Sequence, residues 1–429
     1  MLLKKVHTLV KFAAVIFITA LTAACEPVHT GPKQVFILYS IGYNNLAYYL
    51  DQDINDITRS YQRITGNNAV IIFSHKTKKG GDYTTPNPPV IVELTKDWTG
   101  KVRRDTLAIL EASTISASGE TVREVLSSVS QRHPKAEYSI LFSSHGTGWA
   151  PADYCNEPSR YDTNIENPDN IIWRRGISHR QPSWGIDPGD GSPVVKSFGV
   201  QNITSGTYHE IDINDLAESF PMKMKNVIFD ACFMGGIEVA YAFRNVTQMM
   251  IASQTEILAD GMDYTSMLSY IFDRSNNQQG FCKNYFKHYN SLSGDYRSAT
   301  ISLIDCSQLE PLAEICRNLF ASQREQIAAL EGTMEVQRYF RKAYTYNHKW
   351  FYDLEDILVK SGISSEQHDS LKTALNRCVI YKAATPQFMN DITISNHSGL
   401  SMYLPYADYD YLNGFYKELD WNKATGLVQ

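Results

Sequence analysis

The sequence predicts an α/β fold with a mostly parallel central β-sheet and helices on both of its faces. The first observation is a set of short, almost continuously apolar runs, such as residues 35–39 and 140–142, which are typical of strands buried on both faces. The second is that segments of helical periodicity separate these runs. The composition is that of a globular chain, with 43% hydrophobic and 20% charged residues among 429.

The first half alternates strands and helices in a regular order. Gly- and Pro-rich turns separate the elements, and Ser118 or Thr121 is the expected cap of a helix that ends before Pro134. The predicted strands occupy 33–42, 67–75, 89–98 (a short strand or an edge hairpin) and 138–142, with helices at 44–62 and 118–133.

The second half continues this alternation after an irregular segment. Residues 151–208 are rich in Pro, Asn, Asp and Gly and show no sustained period, so we predict a long functional or mobile loop. The C-terminal part, 265–429, is predicted to be an α/β subregion with additional helices. Helices are expected at 209–221, 234–246, 264–272, 277–292, 310–322, 336–346 and 364–380, and strands at 226–233, 247–256, 298–309 and 398–405.

The N-terminus is predicted to be a lipoprotein signal peptide rather than part of the fold. A basic start and an apolar run over 1–24 precede Cys25, which we expect to be lipidated. An ordinary signal peptide or an uncleaved anchor remains the alternative. Residues 25–32 would form a tether and 33–429 the folded domain. This predicts an exported, membrane-anchored protein on the periplasmic face or the cell surface. The net charge of −6 argues against a nucleic-acid partner.

Two predicted strands end in reactive side chains. The apolar run 140–142 leads to His145, and the run 227–229 leads to Cys232. Ligands of open parallel sheets bind beyond the carboxyl ends of the strands. If these strands are neighbours, the imidazole faces the thiol and favours a thiolate that can attack a carbonyl carbon. The backbone N–H groups of Gly146 and Cys232 are the expected oxyanion donors. A lone cysteine there is more often a small buried hydrophobe, but the pair favours catalysis.

These two segments also resemble a known family. "SSHGTGW" and "FDACFMGGIEVAYAF" are similar to the His-Gly and Asp-Ala-Cys blocks of the clostripain family (C11) of cysteine peptidases. The similarity continues through 252–264, 298–309, 350–358 and 397–405. The resemblance implies a caspase-like fold, with His145 as general base and acid and Cys232 as nucleophile.

The family resemblance also implies cleavage after Arg or Lys. A guanidinium or ammonium group requires a carboxylate at the base of its pocket. Asp230 and Asp260 match the family positions and are the expected ligands of the basic side chain. The alternative is structural: Asp230 would order the cysteine loop, and Asp260 would cap a turn before Gly261.

Family members are often zymogens that cut themselves between the His and Cys blocks. The loop 151–208 lies between these blocks and contains basic residues, which are otherwise solvated loop charges. The candidate cleavage sites are Lys196, Arg174, Arg175 and Arg180. Some members need Ca²⁺, and 187–193 is rich in oxygen ligands, but it lacks the EF-hand pattern. We therefore predict no metal and no cofactor.

The resulting prediction is a monomeric, lipid-anchored cysteine endopeptidase that acts on proteins or peptides after Arg or Lys. Two alternatives stay open. One is a non-catalytic, peptide-binding surface lipoprotein of the same fold. The other is a related cysteine peptidase with Asn specificity, whose activity would survive the loss of Asp230 and Asp260.

Overall fold

The computed structural model describes residues 31–42, 46–76, 87–152, 154, 161–162, 209–273, 275, 277–341 and 350–429. The strands in these ranges are β1 (Gln34–Gly42), β2 (Asn68–Lys76), β3 (Val90–Lys96), β4 (Val102–Ile109), β5 (Glu137–Ser143), β6 (Met224–Asp230), β7 (Thr247–Ala252), β8 (Thr300–Asp305), β9 (Tyr352–Asp353), β10 (Val379–Ala384), β11 (Gln387–Phe388), β12 (Ile392–Thr393) and β13 (Ser401–Met402). The α-helices are α1 (Ala47–Arg63), α2 (Gly119–Arg132), α3 (Ile213–Glu218), α4 (Ile237–Ala242), α5 (Met267–Ile271), α6 (Gln278–Asn290), α7 (Leu309–Ser322), α8 (Arg324–Ala328), α9 (Leu354–Lys360), α10 (Ser365–Cys378), α11 (Asp410–Glu418) and α12 (Asp420–Thr425).

A nine-stranded sheet forms the centre of the described structure. Its order is β10-β8-β7-β6-β5-β1-β2-β3-β4. The five strands from β7 to β2 are mutually parallel, and antiparallel strands extend the sheet at both edges. The predicted mostly parallel sheet is therefore confirmed. The segment 89–98, predicted as a short strand or an edge hairpin, contains β3, which pairs antiparallel with β4, a strand that was not predicted.

Helices cover both faces of this sheet because its strands are apolar on both sides. Along β1, Val35, Ile37 and Tyr39 enter one core, whereas Phe36 and Leu38 enter the other. Side chains of α2, α4, α7 and α10 complete the first core. Side chains of α1, α5 and α6 complete the second. This two-faced burial is the physical reason for the continuous apolar runs in the sequence.

One helix prediction is wrong. Residues 336–341, the described part of the predicted helix 336–346, are not helical. The Tyr339 N–H instead donates to the Phe351 carbonyl oxygen (2.8 Å), and the Gln337 N–H donates to Asp356 Oδ2 (2.6 Å). All five residues from 336 to 340 are buried. A single helix face cannot bury five consecutive residues, whereas an extended segment enclosed on both sides can.

The N-terminal prediction falls outside the described residues. Neither the signal peptide 1–24 nor Cys25 is described, and only 31–32 of the tether are. Among the described helices, none has the length and apolar character needed to cross a membrane.

Candidate active site

The strands that carry the two candidate catalytic residues are neighbours. Strands β5 and β6 are parallel and in register, with Ser143 opposite Asp230 at their carboxyl ends. His145 and Cys232 each lie two residues beyond this last pair. The adjacency on which the sequence argument depended is therefore present in the sheet.

Gly146 brings the histidine turn, defined here as residues 144–149, against the main chain of the turn that carries Cys232. A Cβ atom at Gly146 would lie 2.6 Å from the Cys232 carbonyl oxygen, 2.9 Å from Ala231 Cβ and 3.1 Å from the Cys232 nitrogen. These separations leave no room for any side chain at this position. The glycine after the histidine is thus required by the contact between the two turns, and this contact brings the Gly146 and Cys232 main chains together.

The turn that carries the candidate nucleophile, called the nucleophile turn and defined here as residues 232–236, has a strained backbone. Phe233 has a φ of 62°, in the left-handed region that non-glycine residues rarely adopt. Its N–H donates to the Thr255 carbonyl oxygen (3.0 Å), and the Gly235 N–H donates to the Ser253 carbonyl oxygen (2.7 Å). Strained turns of this kind recur where a strand must present a nucleophile at its end.

These same contacts correct the predicted start of the following helix. The sequence predicted a helix from residue 234, but α4 begins at Ile237 with Gly236 as its N-cap. The N–H groups of Phe233 and Gly235 bond to the segment after β7 rather than taking part in a helix. Gly235 is also needed for close packing within the chain, because a Cβ there would lie 2.3 Å from Gln254 Nε2.

The Cys232 thiol is fully buried beneath this turn. The Ile257 N–H donates to Cys232 Sγ at 3.1 Å. Beside it, the rings of Phe233 and Phe351 stack with centroids 4.5 Å apart and planes inclined by 6°. Gly148 on the histidine turn packs against the same ring, because a Cβ atom at Gly148 would lie only 2.7 Å from Phe351 Cε1. Phe351 therefore joins both turns to the C-terminal part of the chain, 265–429.

The histidine turn is anchored by a buried tryptophan. Trp149 is fully buried, and its ring lies 4.8 Å from Tyr403 and 4.9 Å from Tyr416. His145 itself is half-buried, so its imidazole remains partly accessible at the sheet edge. A rigid anchor next to a partly accessible imidazole suits a group that must transfer protons.

Asp230 is buried at the end of β6. Its Oδ2 accepts a hydrogen bond from the Tyr264 hydroxyl at 2.5 Å and another from Ser143 Oγ at 3.4 Å. Burial raises the pKa of Tyr264 well above its usual value, and the negative charges of Asp230 and Asp53 add to this rise. Tyr264 therefore stays protonated and donates to the carboxylate, which fixes the orientation of Asp230.

Asp260 is exposed to solvent on a turn whose neighbouring residues are buried. The turn closes through a hydrogen bond from the Gly261 N–H to the Leu258 carbonyl oxygen (2.8 Å), and Gly261 has a φ of 66°. Burial raises the pKa of Tyr289, and charges of Tyr285, Asp260, Asp230 and Asp53 raise it further. Asp260 and Asp230 therefore lie within electrostatic range of the same tyrosine ring, one exposed and one buried.

Two further acidic residues near the site were missed at the sequence level. Asp53 is buried on α1, three residues after the buried Leu50, where the apolar periodicity would call for a hydrophobic residue. Glu256 is buried and accepts two hydrogen bonds from the Arg341 guanidinium, at 2.6 and 3.0 Å. A charged residue on the apolar side of a helix was a usable signal for Asp53, whereas no sequence signal links Glu256 to a residue 85 positions away.

The remaining sequence predictions concern residues outside the described ranges. The candidate cleavage sites Arg174, Arg175, Arg180 and Lys196 are not described, and neither is the oxygen-rich segment 187–193. In the part of the chain that is described, no group of three or more His, Cys, Asp or Glu side chains could hold a metal ion. The buried thiols of Cys282, Cys306, Cys316 and Cys378 form no disulfide bonds.

Comparison with known proteins agrees with this architecture. The sequence model of the clostripain family (Peptidase C11) matches residues 38–172 and 189–426. The chain is similar to an inactive zymogen C11 protease from Parabacteroides distasonis, with 25% identity, a TM-score of 0.71, and coverage of 92% of this chain and 98% of that one. No curated protein matches the sequence significantly.

Two further solved structures share the fold. A secreted C11 cysteine protease from Bacteroides thetaiotaomicron has 24% identity and a TM-score of 0.69, covering 92% of this chain and 99% of that one. A secreted C11 cysteine protease from the same organism, in complex with an irreversible peptide inhibitor, has 20% identity and a TM-score of 0.66 with the same coverage. The predicted caspase-like α/β architecture is thus confirmed.

Proposed function

The chain belongs to the clostripain family of cysteine proteases, and from this premise we propose that it is an endopeptidase that cleaves after Arg or Lys through His145 and Cys232. The observation that carries the proposal is the in-register pairing of β5 and β6, from which both residues follow at equal distance. A base and a thiol at equivalent positions on adjacent parallel strands are what an activated cysteine nucleophile requires.

The proposed reaction follows from the roles of these groups. His145 takes the proton of the Cys232 thiol, and the thiolate attacks the carbonyl carbon of the substrate. The N–H groups of Gly146 and Cys232 stabilise the resulting oxyanion. His145 then gives its proton to the leaving amine, which leaves an acyl-enzyme. Water deprotonated by His145 attacks the acyl-enzyme and releases the second product and the free thiol.

Specificity for a basic side chain is proposed to come from Asp230 and Asp260. The support is electrostatic: one carboxylate is buried and oriented by Tyr264, and the other is exposed on the turn after β7. A guanidinium or ammonium group that enters between them would be attracted by both charges. Neutralising either aspartate should weaken the binding of Arg and Lys side chains.

Activation and location complete the proposal. Self-cleavage in the loop 151–208, after Lys196, Arg174, Arg175 or Arg180, would convert a single-chain precursor into the active form. Lipidation of Cys25 would tether the exported monomer to a membrane, with no cofactor required. Mass spectrometry of purified wild-type protein would detect a new N-terminus after one of these residues. The Cys232→Ala variant should remain a single chain.

The decisive experiment compares peptide hydrolysis by wild type and variants. Fluorogenic peptides that end in Arg, Lys or Asn before the reporter group are the substrates. We expect wild type to hydrolyse the Arg or Lys peptides, with loss of activity in Cys232→Ala and His145→Ala. Asp230→Asn and Asp260→Asn should raise KM for these peptides.

Asp263→Asn is the matched control, because Asp263 lies three residues from Asp260 but accepts hydrogen bonds from Thr265 and Ser266 of its own turn and from Asn284 on α6. The Asp263→Asn variant should keep the wild-type preference among the Arg, Lys and Asn peptides. Equal hydrolysis by wild type and Cys232→Ala would refute the proposal. Peptide binding without hydrolysis would favour the non-catalytic alternative, and unaltered activity in both aspartate variants on an Asn peptide would favour the asparagine-specific one.

A further inference from the structure

The segment that follows β7 is hydrogen-bonded to the nucleophile turn. We define the β7 turn as residues 253–257, all of which are buried. Two of its carbonyl groups accept N–H groups of the nucleophile turn, and the N–H of Ile257 donates to Cys232 Sγ at 3.1 Å. The position of the Ile257 N–H relative to the thiol therefore depends on the conformation of the β7 turn.

A single hydroxyl group on the neighbouring strand fixes this conformation. Thr300 begins β8 and is fully buried. Its Oγ1 accepts the backbone N–H groups of Gln254 (3.0 Å) and Thr255 (3.1 Å). It also lies 2.8 Å from Ser253 Oγ and 3.0 Å from Thr255 Oγ1. Because buried N–H groups without an acceptor are costly, the Thr300 hydroxyl determines where the β7 turn lies.

The hydrogen bond to sulfur matters because of the buried setting of the thiol. Burial disfavours a thiolate, as shown by the raised pKa of the buried Cys282 and Cys316. A hydrogen bond from a backbone N–H favours the charged form and opposes this effect. The Ile257 N–H is therefore in a position to assist the imidazole in stabilising the ionised nucleophile.

We propose that Thr300 is a positioning residue for the nucleophile: its hydroxyl holds the β7 turn so that the Ile257 N–H reaches Cys232 Sγ and favours the thiolate. This inference rests on the proposed function, in which Cys232 attacks the substrate. Thr300 acts on the thiol only through the β7 turn: it binds the backbone of Gln254 and Thr255, and Ile257 of the same turn donates to Cys232 Sγ.

Other titratable groups lie on the elements around the nucleophile turn, but the test leaves them in place. They are His145 after β5, Asp230 on β6, Glu256 with its partner Arg341, and Tyr285 on α6. Burial raises the pKa of Tyr285, and Asp230 and Cys232 raise it further. A change in the titration of Cys232 after substitution of Thr300 therefore reflects the loss of the hydroxyl and its effect on the β7 turn, since these other groups are unchanged.

The test measures the pH dependence of Cys232 alkylation by iodoacetamide, followed by mass spectrometry of the Cys232 peptide. Thr300→Val keeps the shape of the side chain and removes the hydroxyl. We expect the alkylation midpoint to rise by about one pH unit, so that the rate at a pH below both midpoints falls about tenfold. Thr300→Ser should restore the wild-type midpoint because it restores the acceptor.

Ser302→Ala is the matched control on the same strand. The Ser302 hydroxyl is equally buried and accepts a hydrogen bond from the Gln254 side chain (3.2 Å), whereas Thr300 accepts from the backbone of the β7 turn. We expect this variant to keep the wild-type midpoint. An equal shift in both variants would show a general packing effect and would overturn the positioning role.

A folded Thr300→Val variant with the wild-type midpoint would also overturn the inference. If this variant does not fold, Thr300→Ala removes the same hydroxyl without adding a methyl group and carries the same expectation. Failure of both variants to fold would mean that the hydroxyl supports the fold as a whole, which again overturns the proposal. Alkylation needs no proteolysis, so this result is distinct from failure of the proposed function, which would appear as equal peptide hydrolysis by wild type and Cys232→Ala.

Discussion

Glu238 is predicted to make the stability of the protein depend on pH. It lies in α4, two residues after the nucleophile turn, and is 2% exposed. Its Oε1 accepts the Tyr403 N–H and the Tyr416 hydroxyl, both at 2.8 Å. Burial raises the pKa of this carboxyl group from 4.5 to about 7, and these two hydrogen bonds only partly oppose the rise.

The raised pKa determines the sign and the range of the effect. Between about pH 4.5 and pH 7 the unfolded chain releases the Glu238 proton while the folded chain retains it. The free energy of unfolding therefore falls as the pH rises through this range and is lowest above it. A rise of roughly 2.5 units at about 1.4 kcal/mol per unit corresponds to a loss of about 3 kcal/mol at pH 8.

Glu238→Gln tests this reasoning because glutamine resembles the protonated acid and cannot ionise. Urea unfolding followed by circular dichroism should give similar stabilities for wild type and variant at pH 4.5. At pH 8 the variant should be more stable by about 3 kcal/mol. Glu366→Gln, at an exposed position in α10, is the control and should follow the pH dependence of wild type. A Glu238→Gln variant with the same pH dependence as wild type would refute the argument.

Three further outcomes are expected. Gly146→Ala should lower kcat/KM in the peptide assay by at least about a hundredfold, because its Cβ would lie 2.6 Å from the Cys232 carbonyl oxygen; near-normal activity would contradict the tight contact. Gly414→Ala meets no atom within 4 Å in α11 and should raise the free energy of unfolding by about 0.5–1 kcal/mol in urea, a loss being the contrary result. Ser364→Ala removes the capping box with Gln367 and should lower that free energy by about 1 kcal/mol, whereas an unchanged value would mean that the box contributes nothing.

The parts of the site that were predictable depend on local patterns. The continuous apolar runs identified the buried strands, and the residues after each run gave His145 and Cys232 as polar or reactive side chains at strand ends. Ser118 was also recognisable as a helix cap, since it accepts the Thr121 N–H in the structure. The strands and the helix cap were predictable because strand burial and helix capping involve residues only a few positions apart.

The support beneath the nucleophile was not predictable, because it depends on pairs that are distant in sequence. Thr300 contacts the β7 turn, more than 40 residues before it, and no pattern in either segment predicts this contact. The left-handed backbone of Phe233 was not predictable either, because a glycine at this position would have indicated a positive φ, whereas a phenylalanine does not. Contacts with the β7 turn and with Phe351 hold this conformation.

The same reasoning explains why the chain beyond residue 350 belongs to the site although it contributes no candidate catalytic residue. Phe351 packs against both the histidine turn and the nucleophile turn. Tyr403 and Tyr416 pack against Trp149, which lies three residues after Gly146. The central sheet determines which residues meet at its carboxyl edge, but loops at a sheet edge are mobile unless other groups pack on them. The aromatic side chains supplied from beyond residue 350 therefore give the two turns the rigidity that a reacting pair must have.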